Sequence, residues 1–415
     1  MSAYFVNNNT MILKRKYWLS ILPALILGAC SPKVTTVKKE TAKPVEKEKP
    51  AEKKSVKKFS QASISLLIPF KLNEINFKSM SKADVEKYSM PIDFYQGFKL
   101  GIDSVAASGL NFKLNVYDTQ DDNTHIGLLY DQHNFRKSNL IVGPVFPEGL
   151  KYITNYSKLN NALIVSPLAA SEPSEFNNPN LISVVGNIEL HAKKLAMYIS
   201  KTYNASNTII VIINPRKTDD EQFASPFRKY FSSQTANKFI VQEYASAFAF
   251  ETKMIKGKQY AVIVTSSERS FVLPTVEKLY KLKNLSTGGY ALNLFGHPLW
   301  SKQNYPVDKL QALNTIISSS YKVDYRSVNV VNFIKAYRKK YGFEPGEYAF
   351  KGFDEGYYFG KLMANYGEDY VEYLTKEKYK GLHNNFIFTY DDRFGYINTS
   401  LMLLRYKNFA LNIIE

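Results

Sequence analysis

Few residues in this sequence have the types and spacing that catalysis or metal binding needs. Asp118, Asp121 and Asp122 in "YDTQDDN" offer carboxylates, the ligands that divalent cations prefer. They follow a predicted strand and precede a predicted helix, which favours turn and N-cap roles. His297 has no nearby Cys or HxxH partner, so a metal role is not favoured. The sequence contains no GxSxG elbow, HExxH, Walker loop or Gly-rich dinucleotide turn. We therefore expect a protein that is not an enzyme and has no cofactor or metal.

The one cysteine, Cys30, lies at the end of "MILKRKYWLSILPALILGAC". A basic segment precedes an apolar run that is shorter than the roughly 20 residues a spanning helix needs, as is typical of a signal peptide. The last four residues resemble the lipobox of bacterial lipoproteins, which implies that Cys30 becomes a lipid-modified N-terminus. The alternative is a signal peptide that ends near a cysteine by chance. If Met11 is the true start, residues 1–10 are an upstream extension with no role in the fold. With a single cysteine, a disulfide within the chain is excluded.

The basic charge is concentrated before the part predicted to fold. The formal net charge is +17, and residues 33–58 hold ten Lys and four Glu. Such a segment does not bury enough apolar surface to fold, so we expect a disordered tether over residues 31–60. Fully extended, its thirty residues span roughly 90 Å; contact with anionic lipid is the alternative role. No run of Arg and aromatic residues predicts nucleic-acid binding.

From residue 61 onward, short apolar runs alternate with amphipathic stretches. Runs such as "TIIVIIN" do not alternate, which indicates strands covered on both faces. In "DFYQGFKLGIDSVAASG", apolar positions share one helical face, and Asp93 with Gln96 predicts a capping box at the start of the helix. This order predicts an α/β fold with parallel sheets, whose ligands bind beyond the carboxyl ends of the strands. Strands are predicted at 64–70, 112–117, 140–143, 162–166, 208–214, 239–244, 260–266, 291–296 and 315–321.

An ordered set of segments resembles the type I periplasmic binding protein family over residues 61–415. The set comprises "ISLLIPF", "PIDFYQGFKLGIDSV", "LNVYDTQDD", "LIVGPVFP", "ALIVSPLAAS", "NNPNLISVV", "FGHPLW", "VNFIKAYRKKYGFEPGEYAFKGFDEGYYFGKLM" and "FIFTYDDRFGYINTSLMLLRY". Within the family, the chain most resembles a Bacteroidetes group of predicted amino-acid transporter binding proteins. Members of that group often carry LysM repeats before this domain, where this chain has only its Lys-rich segment.

The resemblance implies two Rossmann-like α/β lobes joined by a three-strand hinge, with the ligand between them. The first lobe is expected at about 61–185 and 300–378, and the second at about 186–299 and 379–415. Closure about the hinge is the expected motion, and the cleft is the expected site of a small molecule. In the same family, Asp354 is expected to fix a helix and a loop beside the cleft.

In amino-acid-binding members, two first-lobe loops supply hydroxyl and N–H groups for the ligand carboxylate, and a second-lobe acid holds the ammonium. Here the first loop has Phe146 and Pro147 instead of a hydroxyl, and Ala170 stands where a threonine is expected. The segment expected to carry the acid, 296–300, has none, which argues against a free α-amino acid. The expected ligand-binding residues are Phe70, Phe146, Ser166, Leu168, Ala169, Ser171, Ser266, Ser267, His297, Trp300 and Tyr321.

Two functions follow as expectations. The first is a lipid-anchored solute-binding protein of the cell envelope, facing the periplasm, that captures a small molecule for ABC-type transport or sensing with an ABC permease as partner. The second is an envelope lipoprotein adaptor that regulates a cell-wall protein through the same fold. In both, the lipid on Cys30 holds the protein to a membrane.

Overall fold

The computed structural model describes residues 57–415, apart from 77, 133–136 and 286–288. The predicted signal peptide, Cys30 and nearly all of the Lys-rich segment lie outside these residues. The strands are β1 (Ala62–Ile68), β2 (Phe112–Asp118), β3 (Leu140–Val142), β4 (Ile164–Ser166), β5 (Leu181–Ser183), β6 (Thr208–Ile213), β7 (Ile240–Tyr244), β8 (Gln259–Val264), β9 (Ala291–Gly296), β10 (Ile316–Ser319), β11 (Tyr379–Lys380), β12 (Asn385–Phe386), β13 (Phe388–Asp391), β14 (Gly395–Asn398), β15 (Met402–Lys407) and β16 (Ala410–Ile413).

The α-helices lie between these strands along the chain. They are α1 (Lys82–Lys87), α2 (Ser89–Ala106), α3 (Asn123–Asp131), α4 (Pro147–Asn160), α5 (Ile188–Thr202), α6 (Thr218–Ser233), α7 (Ala247–Glu251), α8 (Arg269–Lys283), α9 (Val307–Ala312), α10 (Val328–Tyr341) and α11 (Glu347–Tyr366). Short 3₁₀ segments occur at Leu72–Glu74, Pro173–Glu175, Pro298–Lys302 and Gly367–Tyr373.

The strands form two seven-stranded sheets, one in each lobe, and a small β11–β12 ladder. The first sheet has the order β13-β14-β5-β4-β3-β1-β2, and the second has the order β16-β15-β10-β9-β8-β6-β7. Most neighbours are parallel; β13, β15 and β16 pair antiparallel. The α/β fold with two lobes, expected from the sequence, is confirmed. Within the described residues the chain passes from one sheet to the other three times, after β5, after β10 and after β14.

The lobe boundaries read from the sequence differ from the strand pairing. β10 belongs to the second sheet, although 300–378 was expected in the first lobe. β13 and β14 belong to the first sheet, although 379–415 was expected in the second lobe. Strand pairing decides these memberships, and the bounds that the resemblance implied do not follow it.

Each sheet is covered on both faces, as the unbroken apolar runs predict. In β6, Ile209, Val211 and Ile213 pack into the core that contains residues of α8 and α9. The alternate residues Ile210 and Ile212 pack into the core that contains residues of α5 and α6. The first sheet is covered likewise by α2 and α11 on one face and by α3 and α4 on the other. Both faces of the central strands are therefore buried.

The acidic cluster after β2 has the predicted structural role. The Asp122 side chain caps α3 by accepting from the backbone N–H of His125 at 2.7 Å. Asp118 accepts from the backbone N–H groups of Lys71 and Leu72. The predicted capping box at Asp93 is wrong, because α2 begins at Ser89 and Asp93 lies inside it.

Helices α2 and α11 pack at backbone contact, because glycines line the surface between them. A Cβ atom added at Gly97 would lie 1.9 Å from the carbonyl oxygen of Ala349. One added at Gly352 would lie 2.1 Å from the carbonyl oxygen of Phe94. The contact leaves no room for side chains at these positions, and it joins the two longest helices of the first lobe.

Candidate functional site

Two adjoining cavities lie between the lobes, at the carboxyl ends of strands from both sheets. The first has a volume of about 370 Å³ and is lined by residues that follow β4, β8, β9 and β10 and by residues of α5, α6 and α11. The second, of about 410 Å³, is lined by the loops after β3 and β4 and by residues of α11. They share the lining residues Leu168, Ala170, Lys302 and Lys351. This is the edge where ligands of open α/β sheets bind.

Seven of the residues predicted to bind a ligand line these two cavities. They are Phe146, Leu168, Ala169, Ser171, Ser267, His297 and Tyr321. The structure therefore brings loops from distant parts of the sequence to one place. Their contact with a ligand stays a prediction.

The remaining four do not line either cavity, because their side chains point elsewhere. Phe70 packs edge-on against Tyr95 beside the first core. Ser166 is buried at the end of β4, and the fully buried Ser266 accepts from the backbone N–H of Glu268. Trp300, expected as an aromatic wall of the cleft, has no exposed surface and lies in the second-lobe core.

The loop after β3 presents an apolar group to the second cavity. Gly143 has φ +90°, and a Cβ there would lie 2.2 Å from the carbonyl oxygen of Leu67. The left-handed conformation and this close approach both require glycine. Pro147 then begins α4, and Phe146 before it is 40% exposed. This turn therefore aims an aromatic ring at the cleft.

Sequence reasoning missed the charged residues of the cleft. Lys351 lines both cavities although only 7% of its side chain is exposed, and it pairs with Glu347 at 2.8 Å. Lys302 lines both as well. Asp219 lines the first cavity from the exposed start of α6, so a carboxylate does occur there. In the sequence, Glu347 and Lys351 have the (i, i+4) spacing of an ordinary surface pair.

The electrostatics of these groups follow from burial and pairing. Burial lowers the pKa of Lys351, and Glu347 opposes that effect. Burial alone raises the pKa of Glu347, yet Lys351 and Lys302 hold it below its usual value. The pKa of Lys302 is raised, because contacts with Tyr321 and Glu347 outweigh its burial. The lowered pKa of Glu347 and the raised pKa of Lys302 both favour the charged forms, and Glu347 holds the Lys351 ammonium in an ion pair at 2.8 Å.

Two histidines form a neutral polar wall of the first cavity. Burial lowers the pKa of His191 to about 3 and that of His297 to about 4. The ring nitrogens of His191 lie 2.8 and 3.1 Å from the hydroxyls of Ser318 and Ser320. His297 accepts from the backbone N–H of Leu299. In the described part of the chain, no group of three or more His, Cys, Asp or Glu side chains is arranged to hold a metal ion.

Asp354 fixes the loop beside the cleft, as expected. Its carboxylate accepts from the backbone N–H groups of Leu382, His383 and Asn384 at 2.7–2.9 Å. Burial raises the pKa of Asp354 to about 6 against the opposing effect of these donors. His383 in turn stacks on Tyr321 at a centroid distance of 4.6 Å. Helix α11 therefore positions Tyr321, an aromatic residue of the first cavity, through the loop that contains His383.

A larger cavity, of about 590 Å³, lies away from the cleft. Its lining comes from the first lobe, from α2, α10, α11 and the segment around β11. Three exposed lysines, Lys361, Lys378 and Lys380, surround it. It lacks residues of the second lobe, so closure of the lobes would not enclose a ligand there.

Known proteins resemble this chain in structure rather than in sequence. No protein-family model and no curated protein matches it. A putative branched-chain amino acid ABC transporter from Rhodospirillum rubrum has a TM-score of 0.61 at 14% identity, covering 85% of this chain and 100% of that one. The chain has the type I periplasmic binding protein fold.

Other proteins with this type I fold include a substrate-binding protein from Desulfitobacterium hafniense in complex with Leu, with a TM-score of 0.52, 14% identity and coverage of 85% and 100%. LpoA from Haemophilus influenzae has a TM-score of 0.54 at 12% identity, covering 86% of this chain and 60% of that one. The ABC transporter proteins among these matches are substrate-binding proteins, not enzymes. At such identities the likeness establishes the type I fold alone. No helix within the described ranges is long and apolar enough to cross a membrane.

Proposed function

We propose that this protein binds a small solute between its two lobes and delivers or reports it in the cell envelope, held to a membrane by lipid on Cys30. The observation that carries the proposal is the pair of cavities lined by loops of both lobes at the carboxyl ends of the strands. Their volumes lie in the range of small-molecule pockets. Solute capture would use closure of the lobes, with an ABC permease or a sensor as the next component.

Thermal unfolding in the presence of amino acids, sugars and muropeptides tests this proposal. A ligand that binds the folded state alone raises the unfolding temperature by mass action. A solute that raises it should lose its effect when the first cavity is filled, for example by Ser320→Phe, since Ser320 lines that cavity. Leu159→Phe, at an exposed position in the first lobe, is the control. No shift with any solute, together with a cleft filled by side chains in a crystal structure, would remove solute binding from consideration.

The lipid anchor has its own test, because Cys30 lies outside the described residues. Cys30→Ser should move the protein from the membrane fraction to the soluble fraction of cells. Retention in the membrane by the variant would contradict the anchor without affecting solute binding.

A second candidate is an envelope lipoprotein adaptor that regulates a cell-wall protein through the same fold. The resemblance to LpoA from Haemophilus influenzae and the Phe146-Pro147 turn, which lacks a hydroxyl, favour it. Affinity capture from membranes separates the two functions. Recovery of a cell-wall enzyme supports the adaptor, and recovery of transporter subunits without wall enzymes contradicts it.

A further inference from the structure

Two lysines from opposite lobes share one carboxylate oxygen at the junction of the two cavities. The Nζ atom of Lys351, in the first lobe, lies 2.8 Å from Oε1 of Glu347. The Nζ atom of Lys302, in the second lobe, lies 3.5 Å from the same oxygen. Both ammonium groups lie over the ring of Tyr321, 4.8 and 5.1 Å from its centroid. We call Lys302 and Lys351 the lysine pair.

Glu347 supplies one negative charge for two positive charges. Glu355, two turns further along α11, is fully buried, and its carboxylate has no hydrogen-bond partner among the described residues. Its carboxylate makes no hydrogen bond to either lysine, and burial raises its pKa well above its ordinary value. His191 and His297 are neutral, and Asp219 lines the first cavity alone, from an exposed position. The junction therefore keeps an excess positive charge.

Burial makes that excess important for binding. The Lys351 side chain is 93% buried, and a buried ammonium group gains strongly from a second anionic partner. Each lysine lines both cavities. A solute in either cavity could therefore place an anionic group between the two lysines. The two lysines also belong to different lobes, and an anion that contacts both favours the closed arrangement over an open one.

We propose that the cleft takes a solute bearing a carboxylate or phosphate group, which lies between Lys302 and Lys351 and competes with Glu347 for them. This inference rests on the proposed function and specifies the chemical class of its ligand. Before solute binds, the Glu347 carboxylate partly neutralises the positive charge of the lysine pair. The aromatic rings of Tyr321 and Phe146 then face the remainder of the solute.

Pairs of probes that differ in charge test the proposal, and the first two pairs also have nearly the same shape. They are N-acetyl-leucine with N-acetyl-leucinamide, glutarate with glutaramide, and glucose 6-phosphate with glucose. Calorimetry on the full chain at pH 7 and low salt should show that an anionic member binds at least about tenfold more tightly than its neutral partner. The first two pairs report on carboxylates, and the third reports on phosphate.

Substitutions in the lysine pair give the second readout. Lys302→Met and Lys351→Met should each weaken binding of the anionic probe by about tenfold or more, and Lys302→Arg should retain most of it. Glu347→Gln should strengthen binding, because it removes the internal competitor. Lys361→Met, at the separate first-lobe cavity, should leave affinity unchanged. If Lys351→Met does not fold, the half-exposed Lys302 provides the same test.

Three results overturn the inference: equal or tighter binding of the neutral probes, no binding of any anionic probe below millimolar concentration, or unchanged affinity in Lys302→Met. The first leaves the proposed function intact, because a neutral solute still binds in the cleft. Failure of every charged and neutral solute in the wider thermal panel, together with a cleft filled by side chains in a crystal structure, would instead remove solute binding itself.

Discussion

Replacing Trp300 with phenylalanine separates a core role from a ligand-binding role. The indole has no exposed surface, and its Nε1 donates to the carbonyl oxygen of Ser266 at 2.9 Å. Its ring packs edge-on against Tyr305, and a Cβ at Gly296 would lie 2.3 Å from it. Trp300→Phe removes the donor, which costs about 1–3 kcal/mol, and roughly two CH₂-sized groups of buried ring at about 0.8 kcal/mol each. We expect the free energy of unfolding to fall by about 3 kcal/mol.

Urea unfolding followed by far-UV circular dichroism measures this change, since the substitution removes one of the two tryptophans and so alters the intrinsic fluorescence. Phe248→Leu, at an exposed aromatic of the same lobe, is the control and should change stability by less than about 0.5 kcal/mol. Affinity for the tightest-binding solute should change by less than about threefold. A loss of affinity greater than tenfold at unchanged stability would refute the burial argument and return Trp300 to the cleft wall.

Three further predictions concern the backbone, a helix cap and pH. Gly143→Ala should destabilise the fold by about 2 kcal/mol or more, because φ is +90° and the new Cβ meets Leu67, as measured by chemical denaturation. Asp122→Ala should cost about 1 kcal/mol by the same measurement, whereas Asp122→Asn should cost little, since asparagine also caps helices. Burial lowers the pKa of His191 to about 3 in the folded state, so the unfolded chain binds a proton more readily below pH 6.5. Stability should therefore fall as the pH falls from 6.5 towards 3, by up to about 1.4 kcal/mol per pH unit, and His191→Asn should fall less steeply. The raised pKa of Asp354 acts in the opposite direction in both proteins, so the difference between them is the relevant quantity. Equal slopes for the two proteins would contradict the assignment to His191.

The sequence predicts the strands at the centre of each sheet well. All nine predicted strands are present within about two residues of their expected bounds; seven are largely buried apolar runs, and the other two, β2 and β7, lie at sheet edges. β5 is missed although it is no shorter than the predicted strands β3 and β4, and β15 and β16 are missed as well. β13 and β14 are missed because their exposed and buried positions mix without a regular period. β14 pairs with β5, which lies far earlier in the sequence, and no local pattern reports that pairing.

The sequence predicts which loops lie at the cleft, because these loops follow the carboxyl ends of strands. It does not predict which side chains of those loops point into the cleft. The ends of β3, β4 and β9 place Phe146, Leu168 and His297 at the cleft, as topology requires. Ser266 and Ser267 both follow β8, yet only Ser267 lines a cavity, because successive side chains point to opposite sides. The sequence does not predict the lysine pair, since the residues around a lysine do not show whether its side chain will lie between two lobes or in solvent.

The backbone contact between α2 and α11 limits how the first lobe can respond to a ligand. With Gly97 and Gly352 in contact with carbonyl groups, α11 has no room to slide or rotate on α2. Lys351 and Glu347 are therefore fixed in the frame of the whole lobe, and any closing motion must carry them as part of one rigid body. A larger residue at either glycine would push the helices apart and shift the ammonium group of Lys351, so a substitution remote from the cleft would change affinity there.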